Sequence, residues 1–110
     1  MIKKINEKDF NSKVLSQDGE IQTDKPVLID FYADWCKPCD EMLKSLRIVD
    51  KEFQNLTIYK MDVEDSKQVV SSLGIRGIPS LYLVGNGKVS VTSGLMPEDK
   101  LRDFIDAALN

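Results

Sequence analysis

The sequence predicts an α/β domain with a mixed sheet lying between helices. Three observations carry this. The run Val27-Leu28-Ile29-Asp30-Phe31-Tyr32 is apolar on both faces, as expected for a central strand covered on both sides. Apolar residues at helical spacing alternate with β-rich segments, so strands are joined by helices. Gly85-Asn86-Gly87 marks a hairpin, which adds an antiparallel pair to strands otherwise linked by crossovers.

Along the chain, Ile2 to Ile5 reads as a short strand. Asn6 with Asp9 forms a weak capping box and opens a helix through about Leu15. Ser16-Gln17-Asp18-Gly19-Glu20 is a loop, polar and broken by glycine. After the central strand, Met42, Leu43, Leu46, Val49 and Phe53 recur at helical spacing and predict a helix from about Cys36 to Phe53. Leu56 to Met61 is a further strand. Asp65 or Ser66 caps a short helix bearing Val69, Val70 and Leu73, which Gly74 ends. Gly74-Ile75-Arg76-Gly77-Ile78-Pro79 is a rigid loop, followed by strands Ser80 to Val84 and Lys88 to Thr92. Pro97 suits the first position of a last helix, whose apolar stripe is Leu101, Phe104, Ile105, Ala108 and Leu109.

A chain of 110 residues with 42% hydrophobic content fits one domain over residues 1–110. The net charge of −3 leaves no basic stripe to neutralise phosphates, which argues against nucleic-acid binding. No apolar run approaches the ~20 residues needed to cross a bilayer. Lys3 and Lys4 are not followed by an apolar core, so no signal peptide is read and a cytoplasmic location is expected. Removal of a leader would leave a periplasmic or exported location open. The chain has no histidine, which removes His-based triads and the commonest zinc ligand. No metal site is expected.

The chemistry centres on Cys36 and Cys39, the only cysteines, in Asp34-Trp35-Cys36-Lys37-Pro38-Cys39. Residues at i and i+3 share a helix face, so the two sulfurs can bridge without a long loop. So short a ring removes little chain entropy and makes a poor structural staple. A bond that forms easily and stabilises little suits reversible redox chemistry. Asp30 sits inside an unbroken apolar strand, where a carboxylate prefers its neutral form, so its pKa should be raised.

Three segments, in order and at the right spacing, resemble the thioredoxin family over nearly the whole chain. They are Val27 through Cys39, then Gly74-Ile75-Arg76-Gly77-Ile78-Pro79-Ser80, then Gly85-Asn86-Gly87-Lys88. The resemblance implies a five-stranded mixed sheet flanked by four helices. It implies protein-disulfide reduction with no bound cofactor, FAD and NADPH entering only through a thioredoxin reductase partner. Disulfide-containing proteins would be the targets, and the chain would act as a monomer. An exported thiol-disulfide oxidase, isomerase or compartment-specific reductant is one alternative, and a thioredoxin-like binding module serving as a subunit of a larger complex is another.

On this reading Cys36 is the nucleophile, at the mouth of a helix whose free N–H groups favour a thiolate. Cys39 then attacks Cys36 and releases the target. Asp30 would accept the Cys39 proton, and Lys60 would approach Asp30, unless Lys60 simply lies on a solvated strand end. The resemblance places Trp35, Lys37, Pro38, Gly77, Ile78, Pro79 and Gly94 at the target-binding surface, with Ile78-Pro79 cis. Trp35 reads equally as ordinary half-exposed packing. The chain also departs from the family pattern. Lys37 stands where glycine is usual and favours the thiolate, whereas Asp40, where a basic residue is familiar, opposes ionisation of Cys39. Lys44 replaces a proline that commonly kinks the helix, so a straighter helix is expected. Tyr32 stands where many members carry tryptophan.

Overall fold

The computed structural model describes residues 1–110. Its strands are β1 (Lys3–Lys4), β2 (Val27–Tyr32), β3 (Thr57–Asp62), β4 (Ser80–Gly85) and β5 (Lys88–Ser93). Its helices are α1 (Glu7–Lys13), α2 (Lys37–Asp50), α3 (Lys67–Leu73) and α4 (Glu98–Leu109). The sheet order is β1-β3-β2-β4-β5. β1 and β2 run parallel to β3, while β4 runs antiparallel to β2 and to β5.

β2 is paired along both edges, with β3 from Val27 to Tyr32 and with β4 from Val27 to Phe31. Its side chains alternate between two cores, as a period of two requires. Ile29 and Phe31 join Phe10, Val14, Met61 and Val69 on the face covered by α1 and α3. Leu28 joins Met42, Leu46, Leu81, Leu101 and Ile105 on the face covered by α2 and α4. Asp30 shares the parity of Leu28 and therefore points toward α2. Each fully buried Leu, Ile or Phe contributes roughly 1.5–3 kcal/mol of apolar transfer, and this holds β2 at the centre.

The turn chemistry follows local sequence. Asn86 (φ 55°) and Gly87 (φ 71°) form the two-residue connection between β4 and β5, a conformation with positive φ at both positions that Asn-Gly adopts readily. Gly74 closes α3 in the left-handed region at φ 71°. The Asp9 N–H donates to Asn6 Oδ1 at 2.8 Å, so Asn6 caps α1 as expected.

Several boundaries differ from the sequence reading. α1 ends at Lys13 rather than near Leu15, because Leu15 forms an isolated antiparallel bridge with Ile21. α2 is helical only to Asp50. The amides of Lys51 and Glu52 then bond three residues back, to Ile48 and Val49, and tighten the end of the helix, while Phe53 still packs on the core. Pro97 is the cap of α4 rather than its first helical residue: its ψ of 164° is extended, and its carbonyl accepts from Leu101 N–H at 3.0 Å. Proline lacks an N–H and its φ fits both positions, so composition alone does not separate them. Ser66, not Asp65, is the cap position of α3, yet its side chain makes no capping bond. Glu7 Oε2, on α1, instead accepts from Val69 N–H at 2.7 Å.

Candidate active site

The central strand delivers the chain to the site. Beyond Tyr32, the N–H of Cys36 donates to the Ala33 carbonyl at 3.2 Å, a tight turn that sets Cys36 at the start of α2. Cys36 is the cap of this helix, and its Sγ accepts from Cys39 N–H at 3.2 Å. Pro38 occupies the first turn, where no N–H is needed. Cys36 and Cys39 are joined as a disulfide with Cα atoms 5.2 Å apart. Both are buried, whereas Lys37 and Pro38 are exposed beside them. Trp35 is 69% exposed, too much for ordinary packing of so large an apolar ring.

The loop before β4 closes the other side. Ile78 packs against Ala33, Cys36 and Cys39. The Ile78-Pro79 bond is cis, as the resemblance to the family led one to expect. Gly77 is exposed, and its carbonyl accepts from Ser80 Oγ. Gly94 has φ 97°, a conformation that favours glycine, and its N–H donates to the Pro79 carbonyl at 2.8 Å. Gly94 and Pro79 are thus bonded to each other, and Ile78 is held against the cysteines.

Below the cysteines lies a narrow cleft of about 110 Å³, lined by Asp30, Tyr32, Ala33, Asp34, Cys39, Asp40, Leu43 and Lys60. Asp30 is 1% exposed, and neither carboxylate oxygen has a hydrogen-bond partner in the protein. Burial pushes its carboxyl up to about 7, with the Lys60 charge opposing. Lys60 stands opposite Asp30 in the β2–β3 register but makes no ion pair with it. Its Nζ lies 5.2 Å from the centre of the Tyr32 ring instead.

The structure therefore brings Asp30, Cys39 and Lys60 into one cleft, and holds Ile78 against Cys36 with the buried Pro79 bonded to Gly94. Sequence reasoning treated Tyr32 only as a departure from a pattern and missed its place in the cleft. Position two beyond Asp30 on the same strand was the available signal. A roomier cleft of about 500 Å³ between α1, α3 and the β4–β5 hairpin contains none of these residues.

A close cysteine pair capping a helix, fed by the central strand of a mixed sheet, defines a thiol-disulfide oxidoreductase. Comparison with known proteins gives the family. A Thioredoxin family model matches residues 1–107. The thioredoxin of Haemophilus influenzae is 38% identical over 104 residues, covering 93% of this chain and 92% of that one. The thioredoxin of Rickettsia prowazekii is 31% identical, covering 99% of this chain and all of the other. A crystal structure of chloroplastic thioredoxin z shares the fold, with a TM-score of 0.81 at 22% identity over 96% of this chain and 92% of that one. The chain belongs to the thioredoxin family and is a thiol-disulfide reductase acting on disulfide-containing proteins.

Proposed function

We propose that the reduced chain donates two electrons to protein disulfides through a Cys36-first mechanism with Asp30 as proton acceptor. The Cys36 thiolate attacks one sulfur of the target disulfide, forming a mixed disulfide and expelling the other target sulfur as a thiolate. Cys39 gives its proton to Asp30 and attacks Cys36 Sγ. The Cys36–Cys39 bond forms, the mixed disulfide breaks, and the target leaves with both sulfurs reduced. Trp35, Lys37 and Pro38 on one side, and Gly77, Ile78, Pro79 and Gly94 on the other, receive an extended target strand across the cysteines.

One observation carries this reading: the buried Asp30 carboxylate has no partner and lines the same cleft as Cys39. A carboxyl held at about 7 can take a proton at neutral pH and return it afterwards. Re-reduction is assigned to a flavin-dependent thioredoxin reductase using NADPH, with no cofactor bound to this chain. The working form is assigned as a cytoplasmic monomer, on the resemblance to the thioredoxin family.

Cys36→Ser should abolish insulin-disulfide reduction, and Cys39→Ser should accumulate mixed disulfides on non-reducing gels. Absence of any trapped species would remove the resolving role from Cys39. Equilibration against a glutathione buffer should place the couple near about −270 mV, as for typical thioredoxin. A value well above about −200 mV would move the assignment to an exported oxidase or isomerase, with Lys37 dominating the electrostatics.

A further inference from the structure

The cleft beneath the cysteines contains a positioning element that the mechanism above does not use. Asp30, Tyr32 and Lys60 project from one face of the sheet: Asp30 and Tyr32 are two residues apart on β2, and Lys60 is in register with Asp30 on β3. A lysine at that position has two places to go. It can meet the carboxylate directly across the strands, or lie along the diagonal toward Tyr32. Its ammonium is found over the Tyr32 ring at 5.2 Å, within the range of a cation–π contact, and Asp30 is left with neither ion pair nor hydrogen bond. From this we infer that Tyr32 is a positioning residue: its ring holds the Lys60 ammonium off Asp30, and so keeps the buried carboxylate unpaired and available beside Cys39.

Other charges lie around the cleft, and the test must separate their pull on Lys60 from that of the ring. Asp34 and Asp40 line it from the β2–α2 turn and the first turn of α2, and the Asp34 charge also acts on Tyr32. Lys4, in register with Lys60 on β1, is tied to Asp65 at 3.1 Å. Asp62 is in register with Tyr32 and has its Oδ1 occupied by the Glu64 N–H at 2.9 Å. The aromatic face is the group found within contact range of the ammonium, and phenylalanine would supply it as well as tyrosine does. An aliphatic residue would not.

The inference rests on the proposed importance of an unpaired Asp30, but its test reads Asp30 directly. The carboxyl carbon of Asp30 is followed by NMR as a function of pH in the intact oxidised protein, for the wild type, Tyr32→Phe, Tyr32→Leu, Lys60→Met and the Tyr32→Leu/Lys60→Met pair. Tyr32→Phe should titrate with the wild type. Tyr32→Leu should titrate lower, because Lys60 is released to Asp30. In the Lys60→Met background, the same Tyr32→Leu change should produce a clearly smaller shift. Equal shifts in both backgrounds would mean that Tyr32 only excludes water, and would overturn the inference. So would a Tyr32→Leu midpoint at or above that of the wild type. Failure of Asp30 as proton acceptor would appear separately, as an Asp30→Asn protein that resolves mixed disulfides at the wild-type rate.

Discussion

Replacing Asp30 by asparagine should make folding stability less sensitive to pH, by an amount the burial of the carboxyl sets. The folded chain holds this proton up to about pH 7, against an ordinary value of 3.8. Below the ordinary value both folded and unfolded chains are protonated, and the carboxyl adds no electrostatic penalty. As pH rises, the unfolded chain ionises first and is favoured, so stability is lost until the folded carboxyl also ionises near pH 7. The rise from 3.8 to about 7, at about 1.36 kcal/mol per pH unit, amounts to roughly 4 kcal/mol, a large part of the roughly 5–15 kcal/mol typical of a domain's total stability. Urea unfolding of the oxidised proteins at pH 4 and pH 8 measures it. The unpartnered amide that Asp30→Asn introduces costs the variant something at both pH values, so the offset cancels in the comparison. Between those pH values the wild type should lose about 3–4 kcal/mol relative to the variant. Parallel stability curves, with the difference changing by less than about 1 kcal/mol, would show that Asp30 is solvated in solution and would refute the reasoning.

Two further outcomes concern the scaffold. Glu7→Ala removes the acceptor for Val69 N–H at the start of α3, and should cost about 1 kcal/mol, as the loss of a helix cap does; hydrogen exchange at the Val69 amide should quicken with it, and unchanged protection would assign that capping bond no energetic role. Gly74→Ala meets no atom within 4 Å but forces a side chain onto φ 71°, so denaturant unfolding should show a loss of about 1–2 kcal/mol from backbone conformation alone. A stability gain there would mean that the end of α3 relaxes out of the left-handed region.

Features with local causes were legible in the sequence. The unbroken apolar run gave β2 its central place, Asn86-Gly87 its hairpin, and Gly74 the end of α3. The cysteine pair and Asp30 were legible for the same reason, since spacing and strand parity are local properties. Two of the failures are tertiary. α1 stops early because Leu15 pairs with Ile21 across a loop, and α3 is capped by a residue sixty-two positions away. The partner of Lys60 was legible only as a pair of candidates. Register sets it opposite Asp30, but the choice between carboxylate and ring depends on desolvation, which a sequence pattern does not express.

The energetics of Asp30 also bear on why it is there. β2 is buried on both faces, and Leu28, two residues before Asp30, fills the same core without penalty. A leucine at position 30 would pack against the same elements and remove a cost of roughly 4 kcal/mol at neutral pH. Little in the packing compensates for the carboxylate: it has no hydrogen bond and no ion pair, and the one nearby cation, whose charge offsets part of the cost, rests on an aromatic ring. A purely structural buried acid would be expected to show such compensation, because unpaired buried charge is among the most destabilising features a core can contain. Its lack here, in a cleft shared with Cys39, fits the proton-acceptor role proposed for Asp30. An ion pair with Lys60 would relieve the cost to folding and, by holding the carboxylate ionised, would lower its affinity for the Cys39 proton.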